Sequence, residues 1–373
     1  MKLIIPKEKL KNGLEVIERI APKFSTLPIL NNILVTAKKN FLSFSSTDLE
    51  VGVKWWSLAK IEKEGELIIP TSTLSNLINF LPNHPIKLEQ KNNFIEIECE
   101  NFKSQLKTIT SNDFPIIPDV SKKNFVELDT KTFCEGLIQI SDLASPSQTR
   151  PELSGVYLSF KKNIIKITAT DSFRLGEKTI FFNQNKLSLE DFGDEISLII
   201  PQKAAKEISA IFGQKVGKIK IYFSSNHILI EKQMEETNHP EIHFVSRLIE
   251  VDYPAYQEII PKKFETQIIF SKDDFLRQLR AASIFSGKIN EIKLIIDPQK
   301  NKIQIFSRNQ DVGEYTSFLP ATIKGEPLEI SFNYRFLISG LLNIKSDEVV
   351  FELQKEEGPA LLKPLNDNTY IYL

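Results

Sequence analysis

Leu67-Ile68-Ile69-Pro70-Thr71-Ser72-Thr73-Leu74-Ser75-Asn76-Leu77-Ile78 reads as a short apolar strand that runs through a proline into an amphipathic helix. The device returns twice. Leu198-Ile199-Ile200-Pro201 enters Gln202-Lys203-Ala204-Ala205-Lys206-Glu207-Ile208, and Glu329-Ile330-Ser331-Phe332-Asn333 enters Tyr334-Arg335-Phe336-Leu337-Ile338-Ser339. Pro70 lies 131 residues before Pro201, which lies 132 before Asn333. A period this long is a domain-sized duplication, since solenoid repeats run about 20–50 residues.

Other landmarks keep the same step. Ser46-Thr47-Asp48-Leu49-Glu50 follows an alternating strand at 41–45, Ala169-Thr170-Asp171-Ser172-Phe173-Arg174-Leu175 follows one at 164–168, and Ser307-Arg308-Asn309-Gln310-Asp311 follows one at 303–306. Each copy also opens on an extended stretch and a polar helix start, at Ile4-Ile5-Pro6-Lys7, Val126-Glu127-Leu128-Asp129-Thr130 and Ile268-Ile269-Phe270-Ser271-Lys272. Three diverged copies are expected, at 1–123, 124–262 and 263–373. Helices separated by runs of strands point to an α+β fold rather than a wound parallel sheet. The short lysine-containing junctions favour an extended or curved array.

Composition narrows the function. The chain has 373 residues, 41% apolar and 25% charged, with 47 Lys and Arg against 48 Asp and Glu. A net charge of −1 gives no sign of a globally basic nucleic-acid binder, although a basic patch remains compatible with it. Cys99 and Cys134 cannot build a disulfide framework and suggest a reducing compartment. Pro6 and Lys7 interrupt the N-terminus too early for a secretory signal, and no apolar run approaches the roughly 18 residues of a membrane span. A cytoplasmic protein is expected.

No catalytic or metal site is expected either. His239 and His243 have Pro240 between them and no third ligand at a usable interval, so they read as a surface loop. Gly213-Gln214-Lys215-Val216-Gly217-Lys218-Ile219 is one residue short of a phosphate loop and has Ile219 where a hydroxyl would hold magnesium. It reads as a turn from helix to strand. No cofactor is expected.

Thr26-Leu27-Pro28-Ile29-Leu30-Asn31-Asn32 with Ser46-Thr47-Asp48-Leu49-Glu50, Ala169-Thr170-Asp171 with Arg174-Leu175, and Asp252-Tyr253-Pro254 with Ile259-Ile260-Pro261 together resemble the bacterial DNA polymerase III beta subunit family, the sliding clamps. The resemblance covers essentially the whole chain. It implies three tandem clamp-type domains, each packing two helices on antiparallel sheets, with two protomers joined head to tail in a six-domain ring around double-stranded DNA. Helices would line the hole. Such a ring must attract phosphate without reading bases, so its helices should be basic. The residues expected to face DNA are Lys7, Lys11, Arg19 and Lys23, then Gln148, Arg150, Lys203 and Lys206, then Arg277, Arg280 and Arg335. Acids such as Glu15, Glu18, Asp273 and Asp274 keep a plain solvated-face reading open.

The resemblance also implies a cleft for short linear motifs of the replicative polymerase, the clamp loader and other partners. Carried across, it includes Thr170, Arg174, Leu175, Pro254, Ile259, Leu279, Asn333 and Phe336. Apolar walls with few polar groups suit a weakly held, exchangeable peptide. Three departures stand out. Ser172-Phe173 replaces the family's usual Gly-His, Glu258 stands where many members are basic, and the sequence stops at Tyr370-Ile371-Tyr372-Leu373 without the usual apolar-Pro-apolar-basic tail. Absence of that tail would give a shallower cleft and weaker binding. The competing reading is a monomeric three-domain peptide-binding scaffold that does not encircle DNA.

Overall fold

The structure, a computed structural model, describes the chain except residues 23–24, 111–112, 124, 148, 162, 183–186, 189–194 and 356–357, and for 187–188 the backbone alone. Its described elements include six α-helices: α1 (Lys7–Glu18), α2 (Thr71–Phe80), α3 (Thr130–Ser141), α4 (Gln202–Phe212), α5 (Lys272–Ser283) and α6 (Tyr334–Leu342). Each follows directly on a strand, and the repeating strand-to-helix junction of the sequence is thereby explained. Strands Gly65–Pro70, Glu195–Pro201 and Leu328–Asn333 feed α2, α4 and α6; Lys2–Pro6, Phe125–Asp129 and Thr266–Ser271 feed α1, α3 and α5. Proline occupies the N-cap of α1, α2 and α4, with ψ of 119–142° that keeps it extended. A proline there forfeits no helical hydrogen bond, because the first turn's N–H groups have no helical acceptor. Where the proline is absent a side chain takes over: Ser271 Oγ accepts from the Asp274 N–H and Asn333 Oδ1 from the Arg335 N–H.

The chain divides into two compact bodies. The first holds residues 1–138, 160–163 and 182–250. One sheet in it runs, edge to edge, Lys60–Lys63, Lys2–Pro6, Pro85–Lys91, Phe94–Cys99 and Phe102–Lys107. The other has nine strands and joins the first two copies, since Pro240–Arg247 pairs antiparallel with Val51–Leu58 through Ile242↔Trp55 and Ser246↔Val51. Leu10, Leu14 and Ile17 recur at helical spacing on α1 and are buried, and Gly13 lets the helix approach the Trp55 ring, which would lie 2.5 Å from an added Cβ.

The second body holds 139–159, 164–181 and 251–373. Its main antiparallel sheet brings Ile164–Thr170 beside Leu175–Phe181, then Tyr370–Tyr372, Ala360–Pro364, Glu348–Leu353, Thr266–Ser271 and Thr322–Lys324. A four-stranded sheet of Gly313–Pro320, Lys302–Asn309, Glu291–Asp297 and Leu328–Asn333 completes it. Phe275, Leu276, Leu279 and Ala282 form the buried stripe of α5, each large apolar side chain contributing about 1.5–3 kcal/mol on burial.

The duplicated Thr-Asp turns have matching hydrogen bonds. Thr47 Oγ1 donates to the Val51 carbonyl at 2.8 Å and Asp48 Oδ1 accepts from the Val51 N–H at 2.7 Å. In the next copy Thr170 Oγ1 donates to the Arg174 carbonyl at 2.7 Å and Asp171 Oδ1 accepts from the Arg174 N–H at 3.0 Å. Leu49 and Ser172, at the same place in each turn, both take φ of 78°. The third copy has Asn309 instead, whose Oδ1 accepts from the Asp311 N–H, and Gly313 closes it at φ 124°.

One expectation about histidine changes, while His239 does lie in the loop before strand Pro240–Arg247. His243 lies within that strand, not on a surface loop, and its Nε2 lies 2.7 Å from Glu231 Oε2. His239 stacks on Phe41 at 4.0 Å. Both are used to pack the sheet, and Trp56 contacts each ring edge-on. The segment 213–217 is the turn from α4 to strand Lys218–Phe223, as its spacing indicates.

Candidate functional site

The second body carries an apolar groove of about 590 Å³. Leu175, Leu337, Phe351, Leu362 and Tyr372 are buried and form its floor, while Phe173 and Ile259 stand at its rim, 81% and 56% exposed. Five of the expected residues line it: Thr170, Arg174, Leu175, Ile259 and Phe336. Three do not. Leu279 is fully buried in the α5 core, Asn333 is spent capping α6, and Pro254 is exposed before the Tyr256–Ile259 turn. Phe332, Leu337, Phe351, Leu362 and Tyr372 were not legible as groove residues, because alternating apolar residues of a strand look alike whether they face a core or a cavity.

Arg174 is the groove's one charged lining residue among those described. Its guanidinium is held on three sides: Nε at 3.1 Å from Asp171 Oδ2, Nη1 donating to Ser339 Oγ at 2.7 Å, and Nη2 donating to the Asp142 carbonyl at 3.3 Å. Its Cζ lies 5.2 Å from the Phe336 ring centroid, a cation–π contact. With Asp171 neutralising it, Arg174 serves as a rigid polar edge more than as a free positive charge. Tyr372 OH donates to the Phe336 carbonyl at 2.8 Å, tying α6 to the last strand. Burial pushes the Tyr372 hydroxyl up to about 12, so it is a neutral donor at physiological pH. Gly340 on α6 packs on the same ring.

The described residues expected to face DNA lie on helix starts, ends and exposed faces, and many are paired. In the first body Lys7 Nζ reaches the Leu81 carbonyl, Lys11 lies 3.8 Å from Glu15, Arg19 Nε lies 2.7 Å from Glu207, and Lys203 pairs with Asp48. Lys206 is exposed on α4. In the second body Arg150 meets Glu152 at 3.0 Å and Ser172 at 2.9 Å, Arg277 pairs with Asp274, and Arg335 leans on the Tyr334 ring. Arg280, exposed in the last turn of α5, has no acid partner among the described residues. Lys23 and Gln148 lie outside the described residues. The acids partly neutralise these faces.

Burial pushes the Cys134 thiol up to about 12, which makes it a poor nucleophile, and Cys99 is buried. Among the described residues no group of three or more His, Cys, Asp or Glu is placed to hold a metal, and no helix is long and apolar enough to cross a membrane.

A triplicated α+β chain that carries an apolar groove has the form of a peptide-binding protein. The particular family follows from comparison. Models of the DNA polymerase III beta subunit match the chain in order, the N-terminal domain at residues 1–118, the central domain at 127–255 and the C-terminal domain at 257–373. The chain belongs to the DNA polymerase III beta subunit family, and it consists of three clamp domains. It is 27% identical over 379 residues to the beta sliding clamp of Synechococcus elongatus, covering all of this chain and 98% of that one. It is 28% identical over 371 residues to the beta sliding clamp of Staphylococcus epidermidis, covering 96% and 94%. The solved sliding clamp of Bacillus subtilis superposes with a TM-score of 0.90 at 24% identity, covering all of this chain and 97% of that one. The function is that of a DNA-replication sliding clamp, a processivity factor and not an enzyme.

Proposed function

We propose that two copies of this chain join head to tail into a ring around duplex DNA in the cytoplasm, and that the groove tethers the replicative polymerase to it. The domains of this reading are 1–123, 124–262 and 263–373. The groove is the observation that carries it: a buried apolar floor, an exposed apolar rim and one immobilised arginine suit a short peptide held weakly and exchanged often. Clamp loader and other motif-bearing proteins would compete for the same groove. The acid-paired cations support the sliding half of the reading, because diffuse contacts hold a ring near phosphate without a deep minimum that would stop it. Tethering acts through effective concentration and needs no chemistry on the clamp.

Retention on DNA tests the topology. After loading, the protein should stay on nicked circular DNA and be lost when that DNA is linearised. Retention independent of circularity would defeat the encirclement reading. Light scattering should give twice the 42.7 kDa protomer mass; one protomer would favour the monomeric scaffold.

A further inference from the structure

We propose that Tyr256, through its hydroxyl bond to Glu177, is a positioning residue that sets the Ile259 wall of the groove. The inference rests on the peptide-groove reading above. Ile259 ends the short 3-10 turn Tyr256–Ile259, in a stretch from 251 to 265 that contains no strand or longer helix. The turn's own backbone bonds are local, Tyr256 N–H to the Pro254 carbonyl and Glu258 N–H to the Ala255 carbonyl. Such bonds shape a turn without fixing where it sits.

Side chains fix it. Tyr256 is 3% exposed, and its hydroxyl donates to Glu177 Oε2 at 2.5 Å. The ring meets Tyr157 and Tyr253 edge-on at 6.2 and 6.1 Å, and those two stack on each other at 4.6 Å. Glu177 is itself held. It is buried, its Oε1 accepts from Lys166 Nζ at 2.8 Å, and it lies on the strand Leu175–Phe181, in register with Ile371. That strand supplies Leu175 to the groove floor, and its pairing partner supplies Tyr372. One hydrogen bond therefore links the rim residue's turn to the strand that builds the floor. Stacked rings can slide against each other at little cost, whereas a short charge-assisted bond fixes a single register. Burial pushes the Tyr256 hydroxyl well above its ordinary range, so the proton stays on tyrosine and the donor is always present.

Tyr256→Phe keeps the ring and removes the bond, and Glu177→Gln keeps an acceptor while losing the charge. The test uses full-length protein with 13C-labelled isoleucine methyl groups, titrated with a labelled synthetic peptide carrying the replicative polymerase's clamp-binding segment. Tyr256→Phe should shift or broaden the Ile259 methyl resonance in the free protein and weaken the peptide about tenfold, the lower end of what one hydrogen bond to a charged group is worth. Glu177→Gln should leave the resonance nearer to its original position. An unmoved Ile259 methyl with unchanged affinity in Tyr256→Phe overturns the proposal, and so does a Glu177→Gln effect as large as that of Tyr256→Phe. If the unaltered protein fails to bind the peptide, the groove reading fails, while the methyl spectra still decide the positioning.

Discussion

Arg174 lies over the ring of Phe336 at 5.2 Å and donates to Ser339, one turn further along the same helix, at 2.7 Å. A residue from the middle copy thus grips α6 at two successive turns, by ring face and by hydroxyl. Only a planar, forked cation can do both. Arg174→Lys would keep the charge and lose the fork, and the lysine ammonium would have to choose between Asp171 and Ser339. We expect the variant to weaken peptide binding by about 1–2 kcal/mol with a smaller loss of thermal stability. Isothermal titration beside differential scanning calorimetry checks this, and equal losses in both would show Arg174 to be purely structural.

The paired turns permit a controlled comparison. Asp48 and Asp171 make the same two-residue cap for their hairpins, so Asp48→Ala and Asp171→Ala should each cost about 1–2 kcal/mol of stability. Only Asp171 also steadies Arg174, so only Asp171→Ala should reduce peptide affinity. A loss of affinity in both variants would mean that the effect travels through global stability.

How much was readable beforehand follows from the same residues. The strand-to-helix junctions at Pro70, Pro201 and Asn333 were legible because proline, period-2 apolar residues and helical spacing act locally. The triplication was legible because the spacing repeats. Thr170, Arg174, Leu175, Ile259 and Phe336, which line the groove, were expected through resemblance, since no local pattern distinguishes them from ordinary core. Leu279 sits on the apolar stripe of α5, which buries it completely and keeps it off the groove lining. Phe351, Leu362 and Tyr372 depend on which strands pair, a non-local fact that one sequence does not spell out. The pairing of Arg19 with Glu207 is likewise tertiary.

Charge on the helices separates contacts from decoration. Arg280 has no acid partner among the described residues, whereas Arg19 is held by Glu207 at 2.7 Å. Arg280→Ala should lower affinity for duplex DNA and reduce the slope of log K against log salt by about 1, and Arg19→Ala should do clearly less. Equilibrium binding across a salt series decides it, and equal slopes for the two variants would refute the distinction.

Acid should loosen the first body through Glu231. Burial raises this carboxyl's pKa, but hydrogen bonds from His243 and Lys122 outweigh burial and hold it at about 2, against 4.5 unfolded. A depressed folded pKa gives stability that is complete above the unfolded value and is lost as pH falls through the folded one. The window is therefore pH 4.5 down to 2, and the contribution is on the order of 3 kcal/mol. Glu231→Gln should be less stable than the parent at pH 7 and should converge on it near pH 2. Chemical denaturation at a series of pH values measures this, and parallel curves would exclude Glu231 as a source of acid sensitivity.

Gly340 offers the sharpest test of how tightly the groove is built. A Cβ there would lie 2.7 Å from Tyr372 Cδ1, inside the distance that real side chains tolerate. Two effects oppose each other. Alanine favours the helix by about 1 kcal/mol over glycine, while forcing an extra methyl into a packed site costs about 1–3 kcal/mol. The Tyr372 ring cannot swing away freely, because its strand pairs with Gly176 and Leu362 and its hydroxyl is bound to the Phe336 carbonyl. Overpacking should win. Gly340→Ala should lower the melting temperature modestly and weaken the peptide more, since both Tyr372 and Phe336 line the groove, and retention on circular DNA should be unaffected. A raised melting temperature with full peptide affinity would mean that the helix and strand part without cost, and that the groove floor is softer than its packing indicates.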